Sequence, residues 1–213
     1  MTRIIAGLAV ILLLTGCGQE EENTSTPDPL KEREELLTAA AHKIVGDFSR
    51  ELKSELLAAV NAGGPTHAIS VCSELAPSIA GQFSRDNQML VRRVSDRNRN
   101  PNNIPDSLQA VLLERFRQSD SLEEVIVWKE YDSLEVFAYH KPIWTGQLCL
   151  NCHGPREKLD AEVQQILAEK YPNDEATGFQ EGDLRGMFVV EIVWPTAEPM
   201  VKEILNGSPR QVE

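Results

Sequence analysis

Cys149 and Cys152 stand three residues apart, and His153 follows directly, in the run Cys149-Leu150-Asn151-Cys152-His153. Two thiols at that spacing match the two vinyl groups of one porphyrin, and thioether bonds to both tether the ring. The adjacent imidazole then reaches the iron from the tethered side. The pattern points to one covalent haem c with His153 as its proximal ligand. Two other chemistries use a C-x-x-C pair. A zinc ribbon needs a second pair, and the chain has none. A thioredoxin-like redox pair has a helix directly after it, whereas Gly154-Pro155 follows here.

The chain has four cysteines, so two remain. Cys17 closes Leu14-Thr15-Gly16-Cys17, which resembles the bacterial lipobox. Ahead of it lie a single n-region charge, Arg3, and an apolar run from Ile4 to Leu14, too short for a permanent membrane span. Residues 1–16 therefore read as a lipoprotein signal peptide. Cleavage leaves Cys17 to be acylated and the mature chain outside the cytoplasm, where c-type haem is attached. By the same resemblance, Gly18 after the cysteine favours the outer membrane. Residues 17–30 are polar, acidic and apolar-poor, a disordered tether of ~20 Å.

Cys72 is then alone in a compartment that permits disulfides. It is either a buried, inert thiol or bound to something. A thiolate on the iron is a strong donor and lowers its potential relative to a thioether. Rival ligands are His140, on a strand face just before the motif, and His67, His42, Met89 and Met187. Arg93 and Arg99 are candidates for the porphyrin propionates, since a planar guanidinium fits a carboxylate. Arg99 can equally hold its own proline-rich loop. Trp128, Tyr139, Trp144 and Phe188 could pack on the ring or simply fill the core.

Charge narrows the partners. With 21 basic and 33 acidic residues the chain carries −12, and loss of Arg3 with the signal makes it −13. Such a chain repels nucleic acid and anionic lipid head groups, so the acyl group, not charge, is what holds it to a bilayer. Neither a Ser–His–Asp pattern, nor a P-loop, nor paired catalytic carboxylates, nor a dinucleotide fingerprint is present, and no enzymatic activity is expected.

The remaining stretch, residues 31–213, suffices for one domain with a real core. Asp28-Pro29 caps a long helix to about Asn61, along which Leu37, Ala41, Ile44, Phe48, Leu52, Leu56 and Val60 form one stripe. Gly63-Gly64 ends it, Thr66 caps a second helix carrying Ile69, Cys72, Ile79 and Phe83 on one face, and Pro77 should kink or divide that helix. Met89 to Ser95 reads as a strand, 97–106 as a rigid Asn/Pro loop, and Asp106 as the cap of a helix to about Arg117. Val125 to Trp128 and Leu134 to Lys141 form a hairpin around Tyr131-Asp132. The C-x-x-C-H run lies in a loop after that strand. A helix begins near Leu159 and ends before Tyr171-Pro172, Gly186 to Trp194 is a strand, and a short helix occupies 196–205. Helices first and an antiparallel sheet built late make an α+β domain.

Several stretches resemble one known family, in order, from about residue 35 to 195. They are Ala68-Ile69-Ser70-Val71-Cys72 with Ala76-Pro77-Ser78-Ile79-Ala80, Arg93-Val94-Ser95, and Arg99-Asn100-Pro101-Asn102-Asn103-Ile104-Pro105-Asp106. Cys149 to Gly154, Tyr171-Pro172-Asn173-Asp174, Gly178 and Gly182-Asp183-Leu184-Arg185-Gly186 complete the set. They resemble the single-haem c-type domain first characterised in cyanobacteria, which also serves as the sensing part of bacterial histidine kinases. The resemblance implies a PAS-like antiparallel sheet flanked by helices, with haem in the cleft. It implies His153 and Cys72 as the two axial ligands. No kinase region follows the domain, so signalling to a kinase in cis is not expected. The expected function is a redox or small-ligand sensor with an unknown redox or signalling partner. The alternatives are an electron-carrying cytochrome and, less favoured, a peroxidase with His140 as its distal acid–base group.

Overall fold

The Asp28 carboxylate accepts a hydrogen bond from the Leu30 amide, and Pro29 supplies a first helical residue that has no N–H to leave unpaired. From there α1 runs over Pro29–Asn87. The computed structural model describes residues 28–119 and 121–207. The signal segment at 1–16, Cys17 and nearly all of the tether lie outside the described residues. Gly63 (φ −161°) and Gly64 (φ 74°) interrupt α1 where the sequence predicts its end. Gly64 takes the left-handed conformation that residues with a Cβ adopt at a cost. Two expectations fail here. Pro65, not Thr66, restarts the helix, and Pro77 neither divides it nor leaves helical geometry. The missing Pro77 N–H only deprives the Ser73 carbonyl of its helical donor, and packing of Ile79 and Phe83 beyond it carries the helix on.

Four antiparallel strands make one sheet in the order β1-β4-β3-β2: β1 (Leu90–Val94), β2 (Val125–Tyr131), β3 (Leu134–Trp144) and β4 (Leu184–Trp194). The β2–β3 hairpin turns at Asp132, whose φ of 54° suits an aspartate. Between β1 and β2 lies α2 (Ser107–Gln118), opened by a reciprocal capping box of Asp106 and Gln109. The C-x-x-C-H run departs from a plain loop. It forms a 3-10 turn over Gln147–Cys149 that runs into the one-turn helix α3 (Leu150–His153). Then come α4 (Ala161–Lys170) and, after β4, α5 (Glu198–Asn206).

The alternation of each strand assigns its two faces to different cores. One face carries Phe137, Tyr139, Val190 and Ile192, and packs on Leu37, Ala41, Ile44 and Phe48 of α1. The other carries Val94, Met187 and Val189, and packs on Leu112, Leu113 and Phe116 of α2. A third cluster joins Ile69 of α1 to Leu159, Val163 and Leu167, with Cys152 and Tyr171 against it. That contact docks the second half of α1, the half with Cys72, beside the C-x-x-C-H segment. The α+β architecture with a long N-terminal helix is as the sequence predicts. None of the described helices is long and apolar enough to cross a membrane.

Candidate haem site

Backbone bonds staple the C-x-x-C-H segment to residues 174–179. The Phe179 amide donates to the His153 carbonyl at 2.9 Å, and the Gly178 amide to that of Gly154 at 2.7 Å. The second segment is held in turn by the loop after β1, through the Glu175 amide on the Asn98 carbonyl at 3.1 Å. Gly154 allows the tight exit, since a Cβ there would stand 2.6 Å from the Leu150 carbonyl oxygen.

His153 Nδ1 lies 2.6 Å from the Ala176 carbonyl oxygen. A carbonyl only accepts, so Nδ1 carries the proton and Nε2 keeps its lone pair free to bind a metal. This is how ligating histidines are commonly oriented from behind. Burial, then the charges of Arg185 and Arg99, holds the imidazole well below its ordinary value, so it is neutral. Phe179 meets the ring edge-on at 6.2 Å between centroids.

The three described cysteines are free, and all are partly exposed. Burial raises Cys152, Arg99 opposes that, and Cys72 and Cys149 push it up further, so the three thiols share one neighbourhood. Cys72 is likewise raised by burial and drawn down by Arg93. No three His, Cys, Asp or Glu side chains among the described residues converge as a cage for a bare ion. What does share one neighbourhood is the C-x-x-C pair of thiols, an oriented imidazole and a further thiol, a donor set that fits a tethered porphyrin. Two surface grooves of about 360 and 460 Å³ lie along the first turns of α1, away from these residues.

The arginines divide by role. Arg99 donates to Asp174 Oδ1 from Nε at 3.1 Å, and to the carbonyls of Cys152 and Ala176 from Nη2 at 2.6 and 3.2 Å. Nε and Nη2 are thus engaged within the chain, where they hold the loop and the C-x-x-C-H segment together. Arg93, from β1, makes no side-chain hydrogen bond among the described residues; its guanidinium lies 6.0 Å from the Phe48 centroid, and Cys72 and Tyr171 act on its charge. Two further arginines were not singled out from sequence. Arg97 donates to the Thr177 carbonyl and lies 3.8 Å over Phe179. Arg185 donates to Ser95 Oγ and the Arg97 carbonyl, each at 3.2 Å. Burial, with the charges of Arg99 and Arg93, pushes it down to about 10. The signal for Arg185 was its place in the Gly182 to Gly186 stretch, which gave no role.

The rival ligands fall elsewhere. His140 pairs with Val125 and Val189, on the α2 face of the sheet, whereas Arg93 pairs with Phe188 on the α1 face. Sheet geometry therefore turns His140 away from the site. His67 is exposed, His42 binds Glu124 at 2.5 Å, and Met89 and Met187 are core residues. Of the aromatic candidates, Phe188 packs on Phe48, Trp128 on Phe137, and Tyr139 bonds Glu124, while Trp144 is exposed.

The profile of the Tll0287-like family, described as Tll0287, matches residues 22–193. A solved structure titled as the cyanobacterial heme-protein Tll0287 is 28% identical. The match has a TM-score of 0.52 and covers 80% of this chain and 98% of that one. No curated protein matches.

Proposed function

The chain belongs to the Tll0287-like family, and from that premise we propose that it is a c-type haem protein of the bacterial cell envelope that senses redox state or a small ligand. Haem binding is supported by the heme-protein title of the similar structure. The observation that carries the reading is the Nδ1 bond of His153 to Ala176, which leaves Nε2 free to bind a metal in the residue next to Cys152. In this reading Cys149 and Cys152 hold one haem by thioethers, His153 Nε2 is one axial donor and Cys72 the other. When bound, haem supplies a one-electron couple and an axial position for which a small ligand can compete.

Cys72 is the chain's own switchable donor. It rides on the second half of α1, eight residues past Gly64. Its release frees that half, and the Gly63–Gly64 break gives the first half a place to pivot. Acylated Cys17 anchors the chain to a bilayer, on the periplasmic side, with a redox or signalling protein as partner. The reading assigns no catalytic turnover and no nucleic acid.

The test is absorption and paramagnetic resonance of the purified protein, ferric and ferrous, beside Cys72→Ala. A ferric spectrum changed by the substitution supports thiolate ligation; an unaltered one refutes it. Loss of the sulfur ligand on reduction, or uptake of carbon monoxide, supports sensing. An identical ligand set in both states, with no uptake, assigns an electron carrier instead.

A further inference from the structure

Three guanidinium groups near the C-x-x-C-H segment have no carboxylate of their own: Arg93 and Arg185, whose charges act on His153, and Arg97, stacked on the Phe179 that meets His153 edge-on. Among the described residues, neither Arg93, Arg97 nor Arg185 has an acidic partner within ion-pair distance. The one carboxylate at hand, Asp174, is already taken by Arg99, at 3.0 and 3.1 Å. The chain has 33 acidic residues, so carboxylates are not scarce. Partly buried cations left unpaired in such a chain carry a desolvation cost that an anion from outside would offset.

Arg93 makes no side-chain hydrogen bond among the described residues, Arg185 uses only Nη1, and Arg97 uses only Nη2. Arg97 is the most occupied of the three, because its plane lies 3.8 Å over Phe179, against 5.2 Å for Arg185. Arg185 is also specially aimed. Ile143 pairs with Gly186 and Trp144 with Leu184, so Arg185 is the extra residue of a bulge in β4. Bulges re-aim a side chain out of the strand's alternation. Gly186, next to it, lets β1 come close to the bulge, because a Cβ there would overlap the Val94 carbonyl oxygen.

We propose that Arg93 and Arg185 together receive the two carboxylates of the porphyrin, and that Arg99 takes no part. The proposal rests on the haem reading above. The planar fork of each guanidinium suits a carboxylate, and each charge-assisted pair contributes roughly a tenfold or greater gain in affinity.

The test uses the full chain with Cys149→Ala and Cys152→Ala, so that haem binding is a reversible equilibrium. It is titrated with haemin and with haemin dimethyl ester, whose propionates are uncharged. The ester should bind at least roughly tenfold more weakly. That preference should shrink in Arg93→Gln and in Arg185→Gln. It should persist in Arg92→Gln, on the opposite sheet face. Resonance Raman spectra of the covalent holoprotein give a second readout: propionate bending bands should move in Arg93→Gln and Arg185→Gln alone.

Equal binding of ester and haemin overturns the arginine assignment while leaving the haem reading intact. So does a preference that stays whole in both Arg93→Gln and Arg185→Gln, or Raman bands that move in neither. A full chain that acquires no covalent haem and binds no haemin overturns both.

Discussion

Arg99 Nη2 donates to the Cys152 carbonyl at 2.6 Å, and so ties the loop after β1 to the backbone of the C-x-x-C-H segment. The same nitrogen reaches the Ala176 carbonyl that orients His153. Its counter-charge, Asp174, has a side chain only 1% exposed.

A buried pair broken on one side leaves the other ion stranded. Arg99→Gln is expected to lower the unfolding free energy by about 3–5 kcal/mol, and the double change Arg99→Gln/Asp174→Asn by clearly less than the sum of the singles. Urea unfolding of the full chain measures both. Additive effects would show that the pair is not coupled.

Gly186 sits at φ 156° against the Val94 carbonyl. Gly186→Ala forces β1 and β4 apart at the bulge and should cost about 1–3 kcal/mol. An unchanged urea midpoint would contradict the close approach.

Glu124 accepts from Tyr139 at 2.7 Å and lies 2.5 Å from His42 Nε2, joining the hairpin to α1. Burial alone would raise its carboxyl, but these bonds outweigh burial and hold it below the ordinary 4.5. A depressed carboxyl adds stability above the unfolded value and loses it as pH falls through the folded value. Glu124→Gln should therefore cost about 1 kcal/mol near neutral pH and flatten the acid limb of the stability profile below about pH 4.5. Burial and the same bond push the Tyr139 hydroxyl far above its ordinary range, so it stays a donor throughout.

Cys17→Ser tests the proposed lipid anchor by removing the thiol that would be acylated. The chain should move from the membrane fraction to the soluble fraction after cell breakage, with its haem spectrum unchanged. Retention in the membrane would assign the anchor to another segment.

Where chemistry depends on neighbours in the chain, the sequence alone determined it. The C-x-x-C spacing with its adjacent histidine, the caps at Asp28 and Asp106 and the break at Gly63–Gly64 are all local, set within a few residues of the chain. Elements with strong periodicity were legible for the same reason. The roles of the arginines were not. Arg93 and Arg99 are six residues apart and look alike, yet β1 leaves one unpaired while the loop delivers the other to Asp174, 75 residues away. Arg185 needed a register shift between β3 and β4 to be aimed at the site. His140 read as a rival ligand until pairing with Val125 and Val189 placed it on the far face. Which charges meet is set by strand register and long-range packing, and these exist only once the sheet has formed.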